Sequence, residues 1–227
     1  MTLMMTNCDS KQHPDAAQSV RDLLRLERLA DIVYGVSFLF MLMQIDRPDA
    51  SMLGSSEAMR EYLRGQASTL QIYFTSFLLV AFYWQSHLAM MKRFKGSDSL
   101  HRWFQLGGLM GVALLPYVND LLELMPLEAS IQIIYSLVMV QIGFFDVLIL
   151  LHGWRHPELM VDPQQQQKSW AVLLESALEP GICLISIVVA IVMAPEFWEW
   201  TFLLMLPGYG IVGLLERQQP DQTVKSH

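Results

Sequence analysis

Apolar and polar positions alternate along this chain on the scale of whole helices. Six mostly apolar stretches stand out, at about 30–46, 70–91, 103–122, 129–153, 171–193 and 197–215. Each approaches the roughly 20 helical residues that a hydrocarbon core of about 30 Å requires. No acid or base occurs between Gly65 and Met91, and Asp146 alone interrupts the fourth stretch. The segments between them carry proline, glycine, serine or charge, as in DRPDASMLGSSEAMREYLRG, KRFKGSDSLHR and RHPELMVDPQQQQK. These read as loops, with Gln164–Gln167 a solvated linker. The pattern predicts an all-α membrane protein of six transmembrane helices over residues 21–216. A polar, poorly ordered cytosolic tail is expected at 1–20 and a second at 217–227. Residues 1–20 have no apolar core of signal-peptide type.

Orientation follows from the basic residues, which are retained on the cytoplasmic side. With the amino terminus inside, twelve lysines and arginines fall on cytoplasmic segments, and only Arg47, Arg60 and Arg64 fall outside. The loops after the third and fifth spans hold no basic residue. Both termini are therefore expected in the cytoplasm. Trp103, Trp154, Trp198 and Trp200 lie near predicted span ends, where amphipathic rings favour the headgroup region.

Composition agrees with this reading. Hydrophobic residues make up 53% of the 227 and charged residues 16%, well below the quarter usual in soluble domains. A net charge of −7 disfavours a nucleic-acid partner. Cys8 and Cys183 are too far apart to suggest a disulfide framework or a metal motif. The expected setting is a bacterial inner membrane, with the lipid bilayer as solvent and no cofactor.

Asp31 raises a question, because an aspartate at the mouth of a span is costly unless it is paired or wet. Arg28, at i−3, is the local basic candidate. His87 and Gln105 lie at the same predicted depth on the second and third spans. Farther along the first span, Val36, Leu39, Phe40 and Met43 share one helical face. Such a stripe fits a pore lining, and it equally fits a helix facing lipid or a neighbour.

The stretch RLERLADIVYGVSFLFMLMQIDRP resembles the first-helix signature of the transmembrane protein 175 family, the lysosomal potassium channels and their bacterial homologues. In that family an arginine precedes by six positions the aspartate of a Phe-Ser-Asp motif, as Arg25 precedes Asp31 here, and the helix closes on an acidic turn with proline, here QIDRP. FYWQSHLAMMKRF resembles the second-helix ending through Tyr83, Trp84 and His87. The third helix fits through Trp103, Gln105 in place of asparagine, and LLPYVNDLLELMP. Motif support covers residues 20–126. The departures are Ala30 for the motif serine, which removes a hydroxyl from the network around Asp31, Leu29 for its phenylalanine, Ile32, and Leu39 for a threonine.

The resemblance implies a divergent, single-repeat member: a homotetramer with helix 1 of each subunit around a central potassium-permeable pore. It implies an apolar constriction on the Val36, Leu39, Phe40 and Met43 face, narrowest at Val36. It further implies a polar network of Arg25, Arg28, Asp31, His87, Trp103 and Gln105 holding that helix. A ring of apolar side chains gates by dewetting. No TVGYG filter is present, and the GYG at 208–210 follows LMLP and reads as a helix break. Outer acids such as Asp46, Asp49 and Glu57 would then favour cations.

Two other classes stay open. Asp31, Asp146 and Glu179 suit a proton-coupled carrier if they share a cavity, with Pro180-Gly181 breaking the fifth helix. The Ala30 and Ile32 departures also permit a non-conducting scaffold derived from the channel. An enzyme is not expected. Asp146, His152 and His156, or Glu175 and Glu179, lack a third metal ligand at recognisable spacing, and hydrolase elbows, Walker loops and HExxH are absent.

Overall fold

The computed structural model describes residues 13–43, 45, 47–48, 54–161, 170–193, 195–205, 207–208 and 210–211. Six α-helices follow in order: α1 His13–Met43, α2 Ser56–Gly65, α3 Ala67–Met91, α4 Ser99–Leu124, α5 Ala129–Arg155 and α6 Trp170–Val192. Short 3-10 turns occupy Pro157–Leu159, Pro195–Phe197 and Glu199–Leu204. The sixth expected span begins as this last turn and continues helically at 205, 207–208 and 210–211. Residues 212–227, Cys8, Asp46, Asp49 and Gln164–Gln167 lie outside the described residues.

α1 corrects the expected amino-terminal tail from His13 onward. Leu23, Leu26, Ala30, Tyr34, Ser37 and Met41 recur every three or four residues and are all buried, so the inward stripe starts well before the apolar run. Ser19 then ties the helix to the α3–α4 turn. Its hydroxyl donates to the Ser97 carbonyl at 3.0 Å and accepts from the Ser97 amide at 2.8 Å. The first loop is corrected too, since its second half is α2. Ser55 caps that helix by accepting from the Ala58 amide, with Glu57 in the first turn and Arg64 in the last, the order the helix dipole favours.

The largest helix contacts are α4 with α5, α5 with α6, and α1 with α4. Glycines set the first two. A Cβ on Gly107 would meet the Phe145 ring at 2.4 Å, and one on Gly111 would meet Ile142 Cγ1 at 2.6 Å. Gly143 receives the Pro180 ring, which a Cβ would approach to 2.7 Å. Small residues four apart let membrane helices approach closely, and hydrogen bonds across the contact add to it. Gln141 Nε2 donates to the Gly107 carbonyl at 3.0 Å, and the Ser136 and Ser186 hydroxyls meet at 2.7 Å. Pro180 sits inside a continuous α6, so the expected break there is corrected: its ring packs against Gly143.

Trp198 departs from its expected place at the headgroups. It is buried, donates from Nε1 to Ser136 Oγ at 3.0 Å, and packs edge-on against Tyr135 and Phe202. Trp103 and Trp200 are exposed. Two helices, α5 over Ala129–Arg155 and α6 over Val172–Val192, are long and apolar enough by themselves to cross a membrane.

Candidate functional site

The site is built on α1, whose two faces differ in what covers them. The inward face packs on α3 and α4 and is pinned by Ser37, whose hydroxyl donates to the Val112 carbonyl at 3.0 Å. The outward face carries Leu29, Ile32, Val36, Leu39, Phe40 and Met43, spaced by one, three or four residues and all exposed. Val36 is the least exposed of its four predicted pore-lining positions at 42%, and Met43 the most at 68%. No element of the same chain covers this stripe among the described residues.

Asp31 is exposed and accepts a hydrogen bond from Trp84 Nε1 on α3 at 3.1 Å. Trp84 takes the place that sequence reasoning offered to Arg28. Arg25 and Arg28 are both exposed, and neither forms an ion pair with Asp31 among the described residues. The Trp84 signal was present in the Tyr83-Trp84 pair, which the sequence offered only as part of the second-helix resemblance.

His87 is buried one turn farther along α3, with its ring 5.7 Å from that of Tyr34 and its Nε2 without a hydrogen-bond partner among the described residues. Gln105 is buried in a separate group. Its Nε2 donates to Met91 Sδ at 3.0 Å and lies 3.4 Å from His101 Nε2. Trp103 points away from both groups, 68% exposed. The six predicted network residues therefore divide among the Asp31–Trp84 pair, the Tyr34–His87 contact, the Gln105–His101 contact and the surface.

Sequence reasoning missed the cluster that closes this end of the bundle. Lys95 N donates to Leu159 O and Val161 N to Arg93 O, so the α3–α4 and α5–α6 turns pair as an isolated bridge at Phe94 and Met160. Asp98 caps α4 by accepting from the His101 amide at 2.8 Å and also takes His152 Nε2 at 2.9 Å. Arg102 Nη1 reaches Asp22 on α1 at 2.6 Å. The only sequence signal was the Asp98-Ser-Leu-His101 cap at the end of a basic turn.

Burial works to raise the Asp98 pKa, but the His101 amide and the His152 ring outweigh it and hold the carboxyl below the usual range. Burial pushes the His101 imidazole down to about 4, against smaller opposition from Asp98. Both groups have folded values below their unfolded ones. Their stabilisation is complete above the unfolded values and is lost as pH falls, for His101 between about 6.5 and about 4. That window carries ~3 kcal/mol for His101. The unfolding temperature in detergent is expected to fall steadily between pH 6.5 and 4, and His101→Gln should flatten the decline. An equal slope in both proteins would show that His101 does not set it.

Two acids lie on the helices of the bundle, Glu179 on α6 and the half-buried Asp146 on α5. Glu179 is buried, with Tyr83 beside it. The Glu175 side chain lies outside the described residues. Cys183 is buried in the same region. Among the described residues, no group of three or more histidine, cysteine, aspartate or glutamate side chains is arranged to hold a metal ion.

The geometry defines a class, an all-helical bundle with two helices apolar enough to cross a membrane and a first helix whose apolar face is uncovered among the described residues. A sequence profile of the endosomal/lysosomal potassium channel TMEM175 family matches residues 25–116, the segment holding Arg25, Asp31, His87 and the start of α4. Over that segment the chain is similar to the TMEM175 family. It is 22% identical over 155 residues to the zebrafish (Danio rerio) endosomal/lysosomal proton channel TMEM175, covering 66% of this chain and 29% of that protein. The chain thus spans less than a third of the length of this curated relative.

The fold matches the lysosomal potassium-selective channel TMEM175 homologue from Chamaesiphon minutus with a TM-score of 0.69 at 14% identity, over 85% of this chain and 98% of that one. It also matches a variant of the potassium channel MtTMEM175 with a TM-score of 0.61 at 11% identity, over 86% and 94% of the two chains.

Proposed function

We propose that this chain forms a potassium-permeable cation channel in which four copies place α1 around a central axis. Val36, Leu39, Phe40 and Met43 form the lining, and Val36 forms the narrowest apolar ring. The observation that carries this reading is the two-faced α1: the inward stripe is buried from Leu23 to Met41, while the outward stripe is apolar and uncovered. An apolar ring conducts only when wetted, so its diameter and polarity set the flux. Trp84 on Asp31 and Ser37 on the Val112 carbonyl fix the base and middle of the helix against the subunit's own core. The names of the relatives support ion conduction, some as potassium channels and one as a proton channel. Both termini are cytoplasmic in this reading, and the membrane is a bacterial inner membrane.

A second reading, proton-coupled transport, is favoured by one observation: the carboxyl of Glu179 is buried within the bundle on α6. Intramembrane acids of this kind commonly relay protons. Proteoliposomes of the purified protein separate the two. The channel gives electrogenic potassium flux exceeding sodium flux, with a tetramer by mass in mild detergent. Proton exchange in fixed ratio without conductance would establish the carrier instead, and a monomer in crosslinked membranes would remove the pore.

A further inference from the structure

The inward face of α6 carries Glu179, Cys183, Ser186 and Ala190, spaced by three or four residues and all buried. Ser186 is satisfied there by the Ser136 hydroxyl at 2.7 Å and by the Cys183 carbonyl at 2.8 Å. Glu179 is not. It lies near the middle of α6, is only 7% exposed, and forms no ion pair among the described residues. No lysine or arginine occurs in α3, in α6, or in α5 before Arg155. The titratable groups on the neighbouring helices are the buried Tyr34 of α1, Tyr83 and His87 of α3, and the half-buried Asp146 of α5. His87 sets its ring against Tyr34, and Glu196 and Glu199 on the turns after α6 are exposed.

Tyr83 is the second observation. It is 1% exposed and lies beside Glu179, and its hydroxyl closes no hydrogen bond among the described residues. Pro180, next in the chain, has no amide to donate to the preceding turn, so α6 also has a carbonyl without its helical donor at this level. The surroundings therefore offer oxygen acceptors and no cation. An ionised carboxylate in such a place is costly, and a buried acid without a cation takes up a proton instead. The neutral acid gains one O–H donor, which matches the unpartnered Tyr83 oxygen.

We infer that Glu179 is a proton-binding site inside each subunit, where the carboxyl holds a proton from bulk water at neutral pH and donates it to the Tyr83 hydroxyl oxygen. Binding turns a carboxylate into a carboxylic acid and changes no other bond. Loss of the proton leaves a charge in the core and draws water between α3 and α6. Trp84, the residue after Tyr83, holds Asp31 at the foot of α1, so the state of this site is felt by that helix. The site lies off the uncovered α1 stripe. It shares its carboxyl with the second reading but needs no transport, since a proton that stays in place satisfies the burial argument as well as one that moves.

The test uses the full chain in lipid vesicles and reads the infrared carbonyl band of a protonated carboxylic acid. At neutral pH wild type is expected to show a component that Glu179→Gln removes and Asp146→Asn keeps. Tyr83→Phe should shift that component to higher frequency, because the acid loses its acceptor, and this result stands even if Glu179→Gln does not fold. Alkaline pH should remove the component and lower the unfolding temperature of wild type more than that of Glu179→Gln. A band unchanged by Glu179→Gln or by Tyr83→Phe, or lost in Asp146→Asn, would overturn the site. Removal of the component by sodium chloride at constant pH would assign the carboxyl to a metal cation and would also overturn it. Failure of the second reading shows elsewhere, as absence of proton exchange in proteoliposomes whatever the band does.

Discussion

Val36→Trp is expected to cut potassium flux in proteoliposomes at least tenfold while leaving the unfolding temperature nearly unchanged. The two halves of this expectation come from one fact: Val36 is 42% exposed and belongs to the uncovered stripe of α1, so a larger side chain meets no core atom of its own subunit. In a four-fold assembly the same replacement adds four indoles to the narrowest ring. A barrier rise of only ~1.4 kcal/mol already costs tenfold in rate. Val36→Asn should act in the opposite sense, wetting the ring, raising flux and bringing potassium and sodium rates together. Half a turn away on the buried face, Tyr34→Trp would strike Tyr34's core neighbours and lower stability instead. Wild-type flux in Val36→Trp would sink the assignment of the constriction.

Gly111→Leu is expected to be the most damaging single change to the fold, lowering stability by ~3 kcal/mol or more and abolishing flux with it. The added Cβ alone would stand 2.6 Å from Ile142 Cγ1 and 3.5 Å from the Val138 carbonyl, so α4 must move off α5. The next residue, Val112, accepts the Ser37 hydrogen bond that pins α1, which couples the displacement to the pore helix. Gly181→Ala is the control, because a Cβ there meets nothing within 4 Å and alanine is the better helix former. Thermal unfolding in detergent reads both. A Gly111→Leu protein as stable as wild type would mean that the α4–α5 approach is not what holds the bundle.

The apolar runs made most of the helices legible, because a long hydrophobic segment bounded by charge has few alternatives to a buried or membrane helix. The outward stripe of α1 was legible for the same reason, and its exposure is a packing fact that periodicity alone could not separate from a buried face. What escaped was written in weaker signals. Residues 13–20 are polar enough to read as a tail, yet they belong to the same helix whose inward stripe takes in Leu23 and Leu26. α2 buries no residue, so only its Ser55 cap announces it. Pro180 looked like a break because proline breaks isolated helices, whereas in a packed bundle its ring becomes part of the Gly143 contact.

The polar network was the least legible part. Hydrogen-bond partners such as Trp84 for Asp31, or His152 for Asp98, come from separate helices and carry no sequence spacing. Gly107 and Gly111 are four apart and face α5. That spacing was readable, and its meaning depended on knowing which helix lay opposite.

A pore lined by α1 is open to silver-ion block of potassium flux through single cysteine variants, measured in a background where Cys8 and Cys183 are replaced by alanine. Val36→Cys and Leu39→Cys channels are expected to be shut by silver applied during flux. Ile191→Cys, on the exposed face of α6, keeps its full rate. A Val36→Cys protein as insensitive to silver as Ile191→Cys would contradict a pore lined by α1.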